Sequence, residues 1–246
     1  MSRVEQIGDC TLYLGDCLEI LPEMGKVDAV VTDPPFFAPA SHYQSRISWG
    51  RSYADLSILG QYFFDLAEVF KRIIDDAGHL FVFCNDESYP VFYPGAYGLW
   101  DFTAALVWDK TRIGLGKVFR HQYELILWAS NAGAYAKSDG KAHGDILSYA
   151  PTLSSNREHP VQKPPELMQE IIEICTKPGG VVLDSHMGSG TTLEAAIRCG
   201  RKAIGIELNS HYFDIACRRI EEAYKQPKLF KAEVRKPEPQ ALFGDK

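Results

Sequence analysis

The sequence predicts an α/β fold, a mostly parallel sheet with helices on both faces. Three observations carry that prediction. Short apolar segments alternate with amphipathic ones along the chain, the order that successive βα units produce. One segment, Gly180-Val-Val-Leu183, ends in Asp184 and runs through a turn holding Gly188 and Gly190 into a helical stretch, Thr191–Cys199. A further apolar strand, Lys202–Ile206, ends in Glu207, 23 residues after Asp184.

In order, Cys10–Leu14 reads as a strand that ends in Gly15-Asp16, and Cys17–Met24 as a short helix stopped by Gly25. Val27–Thr32 is apolar enough to be a central parallel strand. It runs into Asp33-Pro34-Pro35-Phe36, where Pro34 holds Asp33 extended and two successive backbone N–H donors are missing. Residues 37–57 lack periodicity and carry Tyr43, Arg46, Trp49, Arg51 and Tyr53, the profile of a functional loop or of disorder. Leu59–Ile74 repeats apolar residues at three- and four-residue steps, as a helix does, and is closed by Gly78. His79–Cys84 reads as a buried strand, Tyr89–Trp100 as a helix or turn broken at Pro94, and Phe102–Trp108 and Gln122–Trp128 as partner strands. Ser130–Asn156 is polar and glycine-broken, an inserted loop region. Pro164–Cys175 is a helix with proline in its first turn, and Ser210–Tyr224 is the last helix. The proline-bearing stretch from Lys225 onward reads as a frayed or partner-bound tail.

At 246 residues with 46% apolar composition, the chain suits one large domain or a domain with an insertion. No apolar run reaches the ~18 residues of a membrane span, and the first residues lack the apolar region of a signal peptide. The six cysteines form no C-x-x-C pair and read as reduced thiols of a cytoplasmic protein without a zinc site. A net charge of −6 argues against a general polyanion binder. Charge is uneven, however: between Asp109 and Lys163 eight Lys/Arg face five Asp/Glu. A local basic patch can contact phosphates while the body stays acidic, and the same pattern also fits a solvated variable surface.

Strand, glycine turn and helix N-terminus together let backbone N–H groups approach a polar ligand. An acidic residue about 20 positions on can reach ribose hydroxyls. The turn has neither the G-x-G-x-x-G of dinucleotide sites nor the Gly-Lys-Ser/Thr of phosphate loops. A nucleoside with a zwitterionic tail, such as S-adenosylmethionine, fits better, and the alternative is a helix cap with no ligand. In an open α/β sheet the ends at Asp33 and Asp184 share the carboxyl edge, where ligands bind. An exocyclic amino group on a nucleobase is a poor nucleophile, because its lone pair is delocalised into the ring. A carboxylate and a backbone carbonyl, here Asp33 and Pro34, can accept its two hydrogens and localise that lone pair. Phe36 can stack on a base that has left the duplex.

These residues resemble an S-adenosylmethionine-dependent DNA methyltransferase of exocyclic amino groups, N6-adenine or N4-cytosine, in the permuted β group. That group places Asp/Ser-Pro-Pro-aromatic first and the cofactor motif late, as Asp33–Phe36 and Asp184–Thr192 stand here. His159-Pro-Val-Gln-Lys163-Pro164 and Gly15-Asp-Cys-Leu18 match two further motifs of the group, so the resemblance runs from about residue 10 to about 222. It implies a Rossmann-like, circularly permuted methyltransferase fold: one catalytic domain over 1–225, a small inserted target-recognition region at about 109–158, and a tail over 226–246.

The resemblance also implies roles. Asp33, Pro34, Pro35 and Phe36 would hold the target base. Gly188, Ser189, Gly190 and Thr191 would hold the methionine part of the cofactor, beside Asp184 and His186. Lys163 would approach the cofactor carboxylate, Glu207 the ribose and Asp16 the adenine amino group. His121 belongs to a segment that shapes the base pocket. Arg46, Arg51, Lys110, Arg112, Lys117 and Arg120 are the candidate DNA contacts. The partner is double-stranded DNA, with a homodimer as a further option given so small a recognition region, and no metal is needed. Three positions in two motifs depart from the family pattern: Ser185-His186 replaces Pro-Phe, whose phenylalanine packs on the cofactor, and Phe36 replaces the commoner tyrosine. The leading aspartate favours adenine N6. Cytosine N4 is the alternative, and a catalytically silent DNA-binding relative is the rival that His186 favours. A modification enzyme, alone or within a restriction–modification pair, is the expected setting.

Overall fold

The computed structural model describes residues 3–36, 55–114, 118–139, 142–152 and 162–225. Its strands are β1 (Arg3–Ile7), β2 (Cys10–Leu14), β3 (Val27–Thr32), β4 (Ile74–Cys84), β5 (Phe102–Asp109), β6 (Tyr123–Ser130), β7 (Ile146–Ser148), β8 (Val181–Asp184) and β9 (Lys202–Glu207). The helices are α1 (Cys17–Ile20, continued by a 3-10 turn at Leu21–Glu23), α2 (Leu56–Ile73), α3 (Tyr89–Ala96), α4 (Pro165–Cys175), α5 (Thr191–Arg198) and α6 (Ser210–Lys225).

Among the described residues the strands form one sheet in the order β1-β2-β9-β8-β3-β4-β6-β5-β7. From β2 to β4 every neighbour is parallel. The edges are mixed: β1 runs antiparallel to β2, β6 lies antiparallel to both β4 and β5, and β7 is parallel to β5. The expected α/β class and the alternation of elements are thus present, with antiparallel pairs confined to the flanks.

Alternation along each strand divides the core in two. Ala29, Val31, Phe81, Phe83 and Val182 point to the face covered by α4, α5 and α6. Val30, Leu80, Val82 and Leu183 point to the face covered by α1, α2 and α3. A period of two in strands buried on both sides yields continuous apolar runs rather than polar alternation, which is why β3 and β8 read as central.

The differences from expectation lie where polar residues mask pattern. β1 carries Arg3, Glu5 and Gln6 beside an exposed Val4, and as an edge strand it shows little apolar signal. β7 is three residues inside the stretch read as loop, held by pairing to Val107–Asp109. α2 starts three residues before Leu59, because Asp55 accepts from the Ser57 backbone N–H at 2.8 Å and caps it. β4 begins at Ile74 rather than His79, and its pairing with β3 is interrupted between Val27 and Ala29. Gly78 lies in that irregularity, where a Cβ would stand 2.6 Å from the Asp28 carbonyl oxygen.

The connections place the site. β8 passes through α5 to β9 on one side, while β3 passes through α2 to β4 on the other. β8 and β3 are neighbours, so their outgoing chains diverge and leave a crevice at the shared carboxyl edge, the position where such sheets bind ligands. Asp184 and Asp33 stand on its two sides.

Candidate active site

Asp33 leaves β3 on the α4 face. Its Oδ2 accepts a 2.6 Å hydrogen bond from the Lys163 ammonium, which comes from the residues just before α4. Its Oδ1 is buried and accepts no hydrogen bond among the described residues. Burial pushes the Asp33 carboxyl up to about 6; Lys163 pulls against this, and the carboxylates of Glu124 and Asp184 add to it. Pro34 and Pro35 supply carbonyls and no donors of their own, and Phe36 follows, half-buried.

Lys163 is itself buried. Its Nζ lies 3.2 Å from Glu124 Oε2, and 5.1 Å and 6.0 Å from the ring centres of Phe83 and Trp108. Burial alone would lower the ammonium pKa, but Asp33 and Glu124 outweigh it and hold the group above its ordinary value. Glu124, on β6, pairs through Oε1 with Lys110 at 2.8 Å. Burial would raise its carboxyl, and the two lysines hold it below the usual range. Four charges of alternating sign, Asp33, Lys163, Glu124 and Lys110, thus run from the crevice to the rim. Lys163 meets Asp33 and Glu124 within this chain, a contact that sequence reading did not anticipate.

Across the crevice, Asp184 at the end of β8 accepts from the His186 backbone N–H at 3.0 Å and from the Thr192 hydroxyl at 2.5 Å. Burial pushes it up to about 6, while the hydroxyl and backbone donors counter that. Gly188 and Gly190 have φ of +51° and +82°. A Cβ at Gly190 would also approach Ala216 Cβ on α6 to 3.2 Å, so turn and helix packing both ask for glycine. Gly190 caps α5 with no side-chain hydrogen bond, and Glu194 is the acidic residue of its first turn. Arg219 of α6 braces the turn from behind: its Nη1 donates to the Ser189 carbonyl at 2.7 Å and hydroxyl at 2.8 Å, and its Nη2 pairs with Glu194 at 2.6 Å. The same Nη1 lies 3.3 Å from the Thr191 hydroxyl.

Glu207 ends β9 beside this turn. It accepts from the Gly188 N–H at 2.9 Å and from the Asn209 N–H at 2.8 Å, one on each oxygen, which leaves further lone pairs on both. Burial raises its carboxyl above the ordinary value. Gly15 donates to the Glu207 carbonyl at 2.9 Å, which brings Asp16 to the same edge, where it caps α1 through the Leu18 N–H at 3.0 Å. His186 points to the opposite face of the sheet. Its Nε2 is 2.7 Å from the Tyr62 hydroxyl and 3.6 Å from Cys17 Sγ, and its Nδ1 is 2.9 Å from Ser185 Oγ and 3.3 Å from Thr32 Oγ1.

The candidate DNA contacts divide. Lys110 belongs to the charge chain. Arg112, Arg120 and His121 are exposed on the β5–β6 connection, with Phe119 beside them 93% exposed. Because β6 is antiparallel to β4, this connection leaves the sheet at the edge that carries Asp33. Arg46, Arg51, Lys117 and His159 lie outside the described residues, as does the tail over 226–246. Among the described residues no group of three or more His, Cys, Asp or Glu could hold a metal ion, and no helix is long and apolar enough to cross a membrane.

Sequence reading missed Glu124 as a partner of Lys163, and also Arg219, Phe83 and Trp108. Only Glu124 had a signal: an acidic residue in an apolar strand, Tyr123–Ser130, whose alternation places it toward the core.

A family model of N6/N4 methyltransferases, described as DNA methylase, matches residues 27–218. The DNA adenine methyltransferase YhdJ of Escherichia coli (strain K12) is 27% identical over 264 aligned positions, covering 92% of this chain and 88% of that protein. The type II methyltransferase M2.DpnII of Streptococcus pneumoniae is 35% identical over 47% of this chain and 50% of its own length. A crystal structure of M1.HpyAVI in complex with SAM superposes with a TM-score of 0.65 at 25% identity, covering 86% of this chain and 98% of that one.

Proposed function

The chain belongs to the N6/N4 DNA methylase family, and we propose that its crevice moves a methyl group from S-adenosylmethionine to the N6 amino group of an adenine flipped out of DNA. The observation that carries this reading is Asp33: one oxygen occupied by Lys163, the other buried without a partner among the described residues, across the crevice from the glycine turn. A buried, unsatisfied carboxylate oxygen costs about 1–3 kcal/mol or more. An amino N–H is the donor it lacks.

The residues fit the cofactor. The Gly188–Thr191 turn at the N-terminus of α5 suits the methionine tail, and Glu207 has lone pairs left for ribose hydroxyls. Asp16 stands at the same edge for a nucleobase amino group. When bound, S-adenosylmethionine would supply a methyl group on a positive sulfonium: the N–C bond forms as the C–S bond breaks, S-adenosylhomocysteine leaves as the neutral thioether, and the amino nitrogen gives up one proton to Asp33 or to water. The chain's own part is positional and electrostatic. Asp33 Oδ1 and the Pro34 carbonyl accept the two amino hydrogens and turn the nitrogen lone pair away from the ring. Phe36 offers a face on which the base can stack.

Adenine is preferred because the motif begins with aspartate and because YhdJ, a relative along nearly the whole chain, is a DNA adenine methyltransferase. Cytosine N4 presents the same amino geometry and is the alternative. Arg112, Arg120 and His121, exposed on the β5–β6 connection, are the proposed DNA-reading residues of an inserted region at about 109–158, and Arg46, Arg51 and Lys117, outside the described residues, are further proposed DNA contacts. The small extent of that region supports sharing recognition with a second copy of the chain. The cytoplasm, where genomic DNA is open to a modification enzyme, is the proposed place of action.

This reading has a pH signature. Asp33 accepts an amino hydrogen only as a carboxylate, and its carboxyl is pushed up to about 6. Protonation is therefore favoured as pH falls through that value, and kcat on unmethylated duplex DNA is expected to drop about tenfold per pH unit below it, as single-site titration requires. Rates measured at saturating cofactor from pH 5 to 8 check this, and a rate that stays level down to pH 5 contradicts it.

A further inference from the structure

Glu124 is a half-buried acid that the proposed methyl transfer does not touch. It sits on β6, an antiparallel strand two places from β3 in the sheet, yet its carboxylate reaches Lys163 at 3.2 Å and Lys110 at 2.8 Å. Lys163 therefore lies between two carboxylates, Asp33 at 2.6 Å and Glu124, over the faces of Phe83 and Trp108. A lysine has four rotatable side-chain bonds and loses up to about 2 kcal/mol of rotamer entropy when fixed. One short contact with Asp33 does not settle where such a chain rests, and a second anion on its far side narrows it to one place. Lys110, half-buried at the rim, in turn keeps Glu124 ionised and aimed inward.

We propose that Glu124 is a positioning residue for methyl transfer: it pins Lys163 to Asp33 Oδ2, so that Asp33 Oδ1 alone stays open toward the target amino group. This deepens the reading of Asp33 as the amino-group acceptor and rests on it. The division of labour between the two oxygens follows from geometry. Were Lys163 free to swing, it could bridge both Asp33 oxygens or leave the carboxylate altogether. The first removes the acceptor. The second leaves a buried carboxylate that takes up a proton and loses its acceptor character.

The test is Glu124→Gln, which keeps shape and removes charge. Asp33 is faced by Lys163 from before α4, by Glu124 from β6, by Asp184 from β8 and by the protonated thiol of Cys84 on β4. If Glu124 is only a neighbouring negative charge, its removal makes Asp33 easier to ionise, and the acid limb of the rate profile moves down in pH. If Glu124 pins Lys163, its removal frees the lysine, and the acid limb moves up by about one unit, within the range an opposite charge at contact distance produces. The positioning role predicts the upward shift with kcat down about tenfold, while the KM for S-adenosylmethionine changes less than about twofold. A downward shift, or an unchanged kcat, overturns it.

Glu124→Asp provides the second reading should the glutamine variant not fold. It retains the charge and withdraws it by one methylene, so a charge-only role predicts an unmoved profile and the positioning role a smaller upward shift. The carboxyl 13C resonance of Asp33, titrated in the ligand-free protein, reads the same shift without DNA. Movement there with no methylation by the wild type would count against the proposed reaction and not against the pinning. An unmoved resonance beside an active wild type would count against the pinning alone.

Discussion

Asp33→Ala is expected to lose methyl transfer by about a hundredfold to a thousandfold, the range seen when one directed polar group is taken from a reacting centre. Binding of S-adenosylmethionine should be largely kept. The reason lies in how the crevice is divided. The glycine turn, the α5 N-terminus and Glu207 belong to β8 and β9, whereas Asp33 follows β3, with Oδ1 buried and unpartnered among the described residues. Among the described residues the two side chains beside it do not replace that acceptor: Lys163 carries only donors, and Glu124 lies against Lys163 and Lys110 as their ion-pair partner. Single-turnover transfer into DNA and isothermal titration with the cofactor separate the two effects. Near-wild-type turnover in the variant would end the assignment of Asp33.

Lys163→Ala is expected to carry the largest cost in stability. Removing one member of a buried, hydrogen-bonded ion pair typically costs about 3–5 kcal/mol, because its partner is left buried and uncompensated. Here two partners are left, Asp33 and Glu124, now repelling across the cavity of the missing side chain. The cost should depend on pH in a defined sense. Asp33 in the folded protein is already pushed up to about 6, above its unfolded value, so folding takes up protons and this group's contribution declines as pH rises through that region. Without Lys163 the carboxyl rises further. The variant's deficit against wild type should therefore be larger at pH 8 than at pH 5, where protonation of one carboxyl relieves the repulsion. Urea unfolding at the two pH values measures this. A deficit equal at both would mean that the lysine contributes packing over Phe83 and Trp108 rather than charge.

The strand ends were the most legible part of the molecule. Asp33 after an apolar run, Asp184 before Gly188 and Gly190, and Glu207 after another apolar run all sit on one sheet edge, as parallel topology requires. Strand and turn signals are local, and one topological rule joins them. The pairing of Lys163 with Asp33 is of another kind. It joins residues 130 positions apart, and its third member, Glu124, reaches it only because β6 inserts antiparallel between β4 and β5. Nothing in the run Gln122–Trp128 announces that insertion. His186 shows the same limit in reverse. Its replacement of the family's phenylalanine was visible, but the direction of its ring, toward Tyr62 and Cys17 under the opposite face, depends on helices α1 and α2. Arg219 gave no signal, since a charged residue on an amphipathic helix reads as solvated surface until the turn it braces is placed beneath it.

The most direct test of the account is chemical. Unmethylated duplex DNA of mixed sequence is incubated with the protein and S-adenosylmethionine labelled in its methyl group, digested to nucleosides, and the products identified by mass spectrometry. The site described here predicts labelled N6-methyladenine, absent when Asp33 is replaced by alanine. Labelled N4-methylcytosine alone would contradict the choice of base, and a protein that binds the cofactor but leaves no label in DNA would contradict the function itself.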